Sequence, residues 1–188
     1  MPHRVCPWWI GYFLASPLRR LSQDPVAVLS PYVREGMTVL EPGPGMGFFT
    51  VELARMVGPS GRVVVVDIQP KMLASLRRRL AKRGLLDRVE VRLVKPESLG
   101  VADLAGAVDF VLAFAMVHEI PDPAGFFREA AATLRPGGRL LLAEPLGHVK
   151  MPDFEKELQD AAAAGLTIAD RPQVRRSHAA LLQAALTA

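Results

Sequence analysis

The chain has 188 residues, of which 50% are hydrophobic, enough to bury the core of one domain without a covalent staple. Its one cysteine, Cys6, excludes an intrachain disulfide and fits a reducing compartment, so the expected location is cytoplasmic. The 23 basic and 19 acidic residues leave a net charge of +4, too mild an excess to demand a polyanionic partner, and no run reaches the roughly 18 apolar residues of a membrane span.

In chain order, residues 1–30 come first and concentrate aromatic side chains at Trp8, Trp9, Tyr12 and Phe13. The apolar stretch 7–15 is broken by Gly11 and lacks the charged start and small-residue cleavage site of a leader. Three readings stand for this segment: a lid over an apolar substrate, packing on the sheet edge, or peripheral contact with a membrane or a partner.

The apolar periodicity then predicts strands over 38–41, 63–67, 89–93, 110–114 and 139–144. They alternate with helices over 48–57, 70–83, a short 101–104 piece and 123–134. Runs such as Val63-Val64-Val65-Val66 are apolar without alternation, as parallel strands covered on both faces require. Gly58-Pro59-Ser60-Gly61 marks the turn before the second strand, and Arg135-Pro136-Gly137-Gly138 reads as the turn before the fifth. A helix over 153–163 leads to 166–171 and 179–186, read as two antiparallel terminal strands, although the alanine-rich tail fits a helix equally well. The expected fold is an α/β doubly wound, mostly parallel seven-stranded sheet with an antiparallel C-terminal strand pair. It would form one domain over 1–188, with its core over 34–188.

Residues 39–48 read V-L-E-P-G-P-G-M-G-F. Behind a buried strand, Gly43, Gly45 and Gly47 free the backbone to approach a ligand closely, as the first strand-to-helix turn of such a sheet does for nucleotides. A dinucleotide fingerprint would need a glycine at position 48, which is Phe48, and no Gly-Lys-Ser/Thr follows for a phosphate loop.

The E-x-G-x-G-x-G turn resembles motif I of the class I S-adenosylmethionine (SAM)-dependent methyltransferases. The likeness extends over residues 34–145 through Val63-Val64-Val65-Val66-Asp67, Val108-Asp109-Phe110-Val111-Leu112 and Leu134-Arg135-Pro136-Gly137-Gly138-Arg139-Leu140. It implies that SAM is the cofactor and S-adenosylhomocysteine the product. Gly43, Pro44, Gly45 and Gly47 would lie against its methionine part, and Glu41 would face its amino end. Asp67 would accept hydrogen bonds from the ribose diol, with Ile68 and Gln69 flanking the adenine. Ala113 would line the pocket from the fourth strand. Where the family often carries Asp-Ala after the third strand, this chain has Lys95 and Pro96, and a lysine cannot accept a hydrogen bond from the adenine amine. Glu97, a backbone carbonyl, or stacking alone would have to serve, with Pro96 alongside.

The Asp/Asn-Pro-Pro-Tyr of nucleic-acid amino-methyltransferases is missing after the fourth strand, which argues against a nucleic-acid substrate. Met116-Val117-His118-Glu119-Ile120-Pro121-Asp122 instead resembles the small-molecule branch, the ubiquinone/menaquinone C-methyltransferases and relatives of arsenite methyltransferase. That resemblance implies methyl transfer to a small, apolar or aromatic molecule, and the single cysteine speaks against arsenite itself. A tRNA or protein methyltransferase, with the basic helix face at Arg77, Arg78, Arg79, Lys82 and Arg83, and a non-catalytic SAM-binding regulatory subunit are the alternatives. His118 is the candidate catalytic residue, a general base for a hydroxyl or thiol. His118, Glu119, Glu144 and His148 would suit zinc or iron if the strand ends brought them together, but their spacing does not force this, and no metal is expected.

Overall fold

A computed structural model describes residues 23–186. The aromatic segment of Trp8, Trp9, Tyr12 and Phe13, with Cys6, lies outside the described residues. Two compact units make up the described chain, residues 23–95 and 96–186. The first contains α1 (Pro25–Leu29), β1 (Thr38–Pro42), α2 (Thr50–Met56), β2 (Arg62–Asp67), α3 (Pro70–Ala81) and β3 (Val89–Leu93). The second contains β4 (Val108–Phe114), α4 (Pro123–Thr133), β5 (Leu134–Pro145), α5 (Met151–Ala163), β6 (Leu166–Asp170) and β7 (Ser177–Ala184). The strands form a seven-stranded sheet of order β3-β2-β1-β4-β5-β7-β6. Within the units, β1, β2 and β3 pair parallel, as do β4 and β5, whereas β7 runs antiparallel to both β5 and β6. This is the mostly parallel α/β sheet that the alternation of patterns predicts.

In the first unit Val63, Val64, Val65 and Val66 are all buried, so the β-branched run sits where both faces of the sheet are covered. Helix α3 starts at Pro70 and buries Met72, Leu73, Leu76 and Leu80 at helical spacing. Arg77 and Arg78 on its other side are exposed, and Arg77 donates to the carbonyl of Val91 at 2.8 Å.

In the second unit the alanine-rich tail is a strand. Its pairing with β5 through Leu140↔Leu182 and Leu142↔Ala180 buries Ala180, Leu181 and Leu182, a gain of apolar burial that a solvated helix would forgo. The turn expected at Arg135-Pro136-Gly137-Gly138 is not a separate loop, because β5 begins at Leu134, directly after α4. Pairing with β4 steps from Val108↔Leu134 to Phe110↔Arg139, so the tract is taken up as a bulge. Gly138 makes this packing feasible, since a Cβ there would stand 2.8 Å from the Arg135 carbonyl oxygen. Among the described residues no helix is long and apolar enough to cross a membrane.

The Ile120-Pro121-Asp122 stretch also has a local structural task. Asp122 is the N-cap of α4, its Oδ1 accepting the Gly125 N–H at 2.9 Å, and a side chain at position 125 would strike the capping carboxylate. Asp122→Ala is expected to lower the unfolding free energy by about 1 kcal/mol. Urea denaturation of the two proteins at one pH measures the difference, and equal midpoints would mean that the cap does not hold the helix.

Candidate active site

Strand β1 ends in Glu41-Pro42, and the Glu41 side chain is buried. Thr50, at the start of α2 and fully buried, donates its hydroxyl to Glu41 Oε2 at 2.6 Å. Desolvation by burial nevertheless dominates and lifts the Glu41 carboxyl from 4.5 to about 7, the Thr50 hydrogen bond pulling the other way. Thr50 escaped the sequence reading because one hydroxyl at the start of an apolar helix looks like a cap.

The glycine turn after β1 divides its work. At Gly45, with φ +55°, an added Cβ would meet nothing within 4 Å, so the backbone borders open space on that side. At Gly47, with φ +82°, an added Cβ would collide with the Leu76 side chain of α3, so this glycine is kept bare by packing. Pro44, between Gly43 and Gly45, is buried, and Gly43 donates its N–H to the Val66 carbonyl at 2.9 Å, tying the turn to β2.

At the end of β2, Asp67 Oδ1 accepts the Gln69 backbone N–H at 2.8 Å. This bond fixes the carboxylate over the turn into α3, and Asp67, Ile68 and Gln69 are all half-buried. A carboxylate, an apolar face and an open backbone cradle thus occur in one compact unit, and these groups suit an amino acid joined to a nucleoside.

In the second unit Pro96 and Glu97 are exposed. The residues that follow them are tethered to α4, where Glu129 Oε2 accepts both the Ser98 hydroxyl at 2.8 Å and the Leu99 N–H at 3.0 Å. Ala113 lies within β4 and is fully buried.

Past the end of β4, Ala115 adopts φ +56°, a left-handed conformation costly for a residue with a Cβ, and its N–H donates to the Ala143 carbonyl at 2.7 Å. The chain then enters a short 3₁₀ turn, Val117–Glu119, which carries His118. Glu144 of β5, with no exposed surface, holds this turn from beneath. Its Oε1 accepts the N–H groups of Met116 at 3.2 Å and Val117 at 2.8 Å, while Oε2 bonds His118 Nδ1. Burial alone would lower the His118 pKa, but the Glu144 hydrogen bond, its negative charge and that of Glu119 together raise it above 6.5. The His148 ring stacks on His118 with centroids 5.7 Å apart. The four residues weighed as a metal set therefore do gather, yet among the described residues no three His, Cys, Asp or Glu side chains are arranged to hold a metal ion. The sequence suggested Glu144 near His118 only as a possible metal ligand, and its role as the hydrogen-bond partner of the ring comes from the structure. Its signal was an acid at the end of a continuous apolar run, Leu140-Leu141-Leu142-Ala143-Glu144.

Residues 33–176 match a family described as a methyltransferase domain. The chain belongs to that family. It is similar to an arsenite methyltransferase of Halobacterium salinarum, 36% identical over 118 residues that make up 63% of this chain and 29% of that protein. It is also similar to the ubiquinone/menaquinone biosynthesis C-methyltransferase UbiE of Hahella chejuensis, 38% identical over 112 residues, 60% of this chain and 44% of that protein. The chain thus spans less than half the length of these two relatives. A crystal structure of a SAM-dependent methyltransferase from Aquifex aeolicus superposes with a TM-score of 0.85 at 26% identity, covering 95% of this chain and 99% of that one. The chain is a methyltransferase domain with the fold of the SAM-dependent enzyme from Aquifex aeolicus. The open side of Gly45 fits SAM as a ligand, because a backbone cradle without a Cβ is left clear there.

The buried Glu41 gives the stability a definite pH dependence. Between about pH 4.5 and pH 7 the folded protein retains a proton that the unfolded chain has released, so this group makes stability fall as pH rises through that window. Glu41→Gln removes the titration, and its stability relative to the parent should rise by on the order of 3 kcal/mol from the acid to the neutral end of the window. Urea midpoints of both proteins across the pH range test this, and parallel curves would show that Glu41 does not titrate there.

Proposed function

We propose that the chain transfers the methyl group of SAM to a small, apolar or aromatic acceptor bearing a hydroxyl or thiol. The observation that carries this reading is His118, anchored by a buried carboxylate through Nδ1 while Nε2 has no hydrogen-bond partner among the described residues. The names of the curated relatives, a ubiquinone/menaquinone biosynthesis C-methyltransferase and an arsenite methyltransferase, support a small-molecule acceptor, and the single cysteine disfavours arsenite. The sequence after β4, free of an Asp/Asn-Pro-Pro-Tyr, supports it further.

When bound, SAM supplies a methyl group already activated on its sulfonium. The chain's own residues then have three tasks. The turn at Gly43, Pro44, Gly45 and Gly47 would hold the amino-acid part along its backbone, with Glu41 near its amino end. Asp67 would accept hydrogen bonds from the ribose diol, and Ile68 and Gln69 would border the adenine. His118 would take the proton from the acceptor through Nε2, and alignment of the nucleophile with the methyl group would supply much of the remaining rate.

Loss of the Asp67 carboxylate removes a charge-assisted hydrogen bond of roughly 1.5 to 3 kcal/mol, so Asp67→Ala should bind SAM about ten- to a hundredfold more weakly. Titration calorimetry with SAM reads the change directly, and an unaltered Kd would move the ribose site elsewhere.

Radiolabelled SAM incubated with the protein and with separated metabolite, RNA and protein fractions should place label in the metabolite fraction. Label in RNA or protein would overturn the small-molecule reading, and no label in any fraction would favour a SAM-binding subunit without turnover. On the labelled metabolite pool, His118→Gln is expected to slow transfer by about a hundredfold or more with SAM affinity unchanged. Full activity in that variant would remove His118 from the chemistry.

A further inference from the structure

Glu144 presents an arrangement that the proposed chemistry does not by itself require. It lies on β5, 26 residues along the chain from His118, and is completely buried. A carboxylate in that position has only acceptor sites to offer, and three donors fill them: the backbone N–H groups of Met116 and Val117 on Oε1, and His118 Nδ1 on Oε2. Since a carboxylate cannot donate, the proton in the Glu144–His118 bond belongs to Nδ1 in the neutral imidazole. Nε2 then carries the lone pair. It stands 3.9 Å from Glu119 Oε1, beyond hydrogen-bond reach.

We infer that Glu144 is a positioning residue which locks His118 in the Nδ1–H tautomer, leaving Nε2 as the proton acceptor, and which holds the 3₁₀ turn at the orientation this demands. The inference rests on the reading of His118 as a general base. One carboxylate performs both tasks because its two oxygens face different elements: Oε1 pins the backbone of the turn and Oε2 orients the ring. Ala115, held left-handed by its bond to Ala143, delivers the chain to Glu144, so the strained residue lies directly ahead of the group that restrains the turn.

The charged surroundings agree with this division. Glu119 on the same turn and His148 on the segment after β5 face the His118 ring. From α5, Glu157 is buried near Glu144, and its own carboxyl is pushed up to about 8 by burial and by Glu144, Asp153 and Asp160. Glu157 thus holds its proton more tightly than an ordinary carboxyl, while Glu144 is met by its three donors. His178 of β7 is the register partner of Glu144.

Glu144→Gln separates the two tasks. The two N–H groups at Oε1 require the amide oxygen there, which turns the NH₂ towards His118. Nδ1 must then accept a hydrogen bond, and the proton moves to Nε2. Nitrogen-15 NMR of the imidazole ring in the full chain reads the tautomer without any substrate. The parent protein, above the His118 titration, should show Nδ1 protonated and Nε2 bare. Glu144→Gln should invert that pattern and move the His118 titration to lower pH, because the raising charge is gone. On the labelled metabolite pool its transfer rate should fall on the order of a hundredfold or more even where His118 is neutral, as for a base offered in the wrong tautomer. A bare Nδ1 in the parent protein, or an unchanged tautomer in the variant, overturns the inference. If the tautomer inverts while transfer proceeds at the parental rate, the positioning role stands and the general-base reading of His118 falls.

Discussion

A carboxylate sealed inside an apolar sheet must find donors, and each of the two compact units holds one such group. Glu41 closes β1 and Glu144 closes β5, each followed by a proline, and both side chains are buried. The two environments differ in their donors. Glu41 has the Thr50 hydroxyl and a carboxyl lifted to about 7, whereas Glu144 gathers two backbone amides and a histidine. Each hydrogen bond to an ionised carboxyl offsets part of its desolvation cost, so burial is opposed by one hydroxyl at Glu41 and by three donors at Glu144.

The glycine turn shows how one motif serves two ends. Gly45 is bare towards open space, and Gly47 is bare because Leu76 occupies the position a Cβ would take. The first absence leaves room for a ligand and the second lets α3 close against the turn. A spacing pattern cannot distinguish these roles, since both glycines share the positive φ that the turn demands. The same economy appears at Asp122, which a family pattern includes beside His118 and which here caps α4.

Family membership and substrate stand on different footings. The match to the methyltransferase domain covers most of the chain, and the Aquifex aeolicus structure superposes over nearly its full length. The matches to the curated relatives span 118 and 112 residues, less than half of each of those proteins. One fold of this kind supports many acceptors, so the acceptor has to be argued from the groups around His118.

The sequence alone was enough for the order of strands and helices, since valine runs, amphipathic spacing at Met72, Leu73, Leu76 and Leu80, and Gly/Pro punctuation are local signals. It also marked the glycine turn, Asp67 and His118, because strand ends of this pattern place side chains at the edge of the sheet. It misread Arg135-Pro136-Gly137-Gly138 as a free turn and left the tail open between strand and helix. Both depend on pairing with β4 or β5, which no local window contains. Only the tertiary structure decided that Thr50 serves Glu41, that Gly47 yields to Leu76, and that Glu144 holds His118. Each is a contact between elements separated along the chain, made possible by packing that brings one donor and one acceptor out of water together.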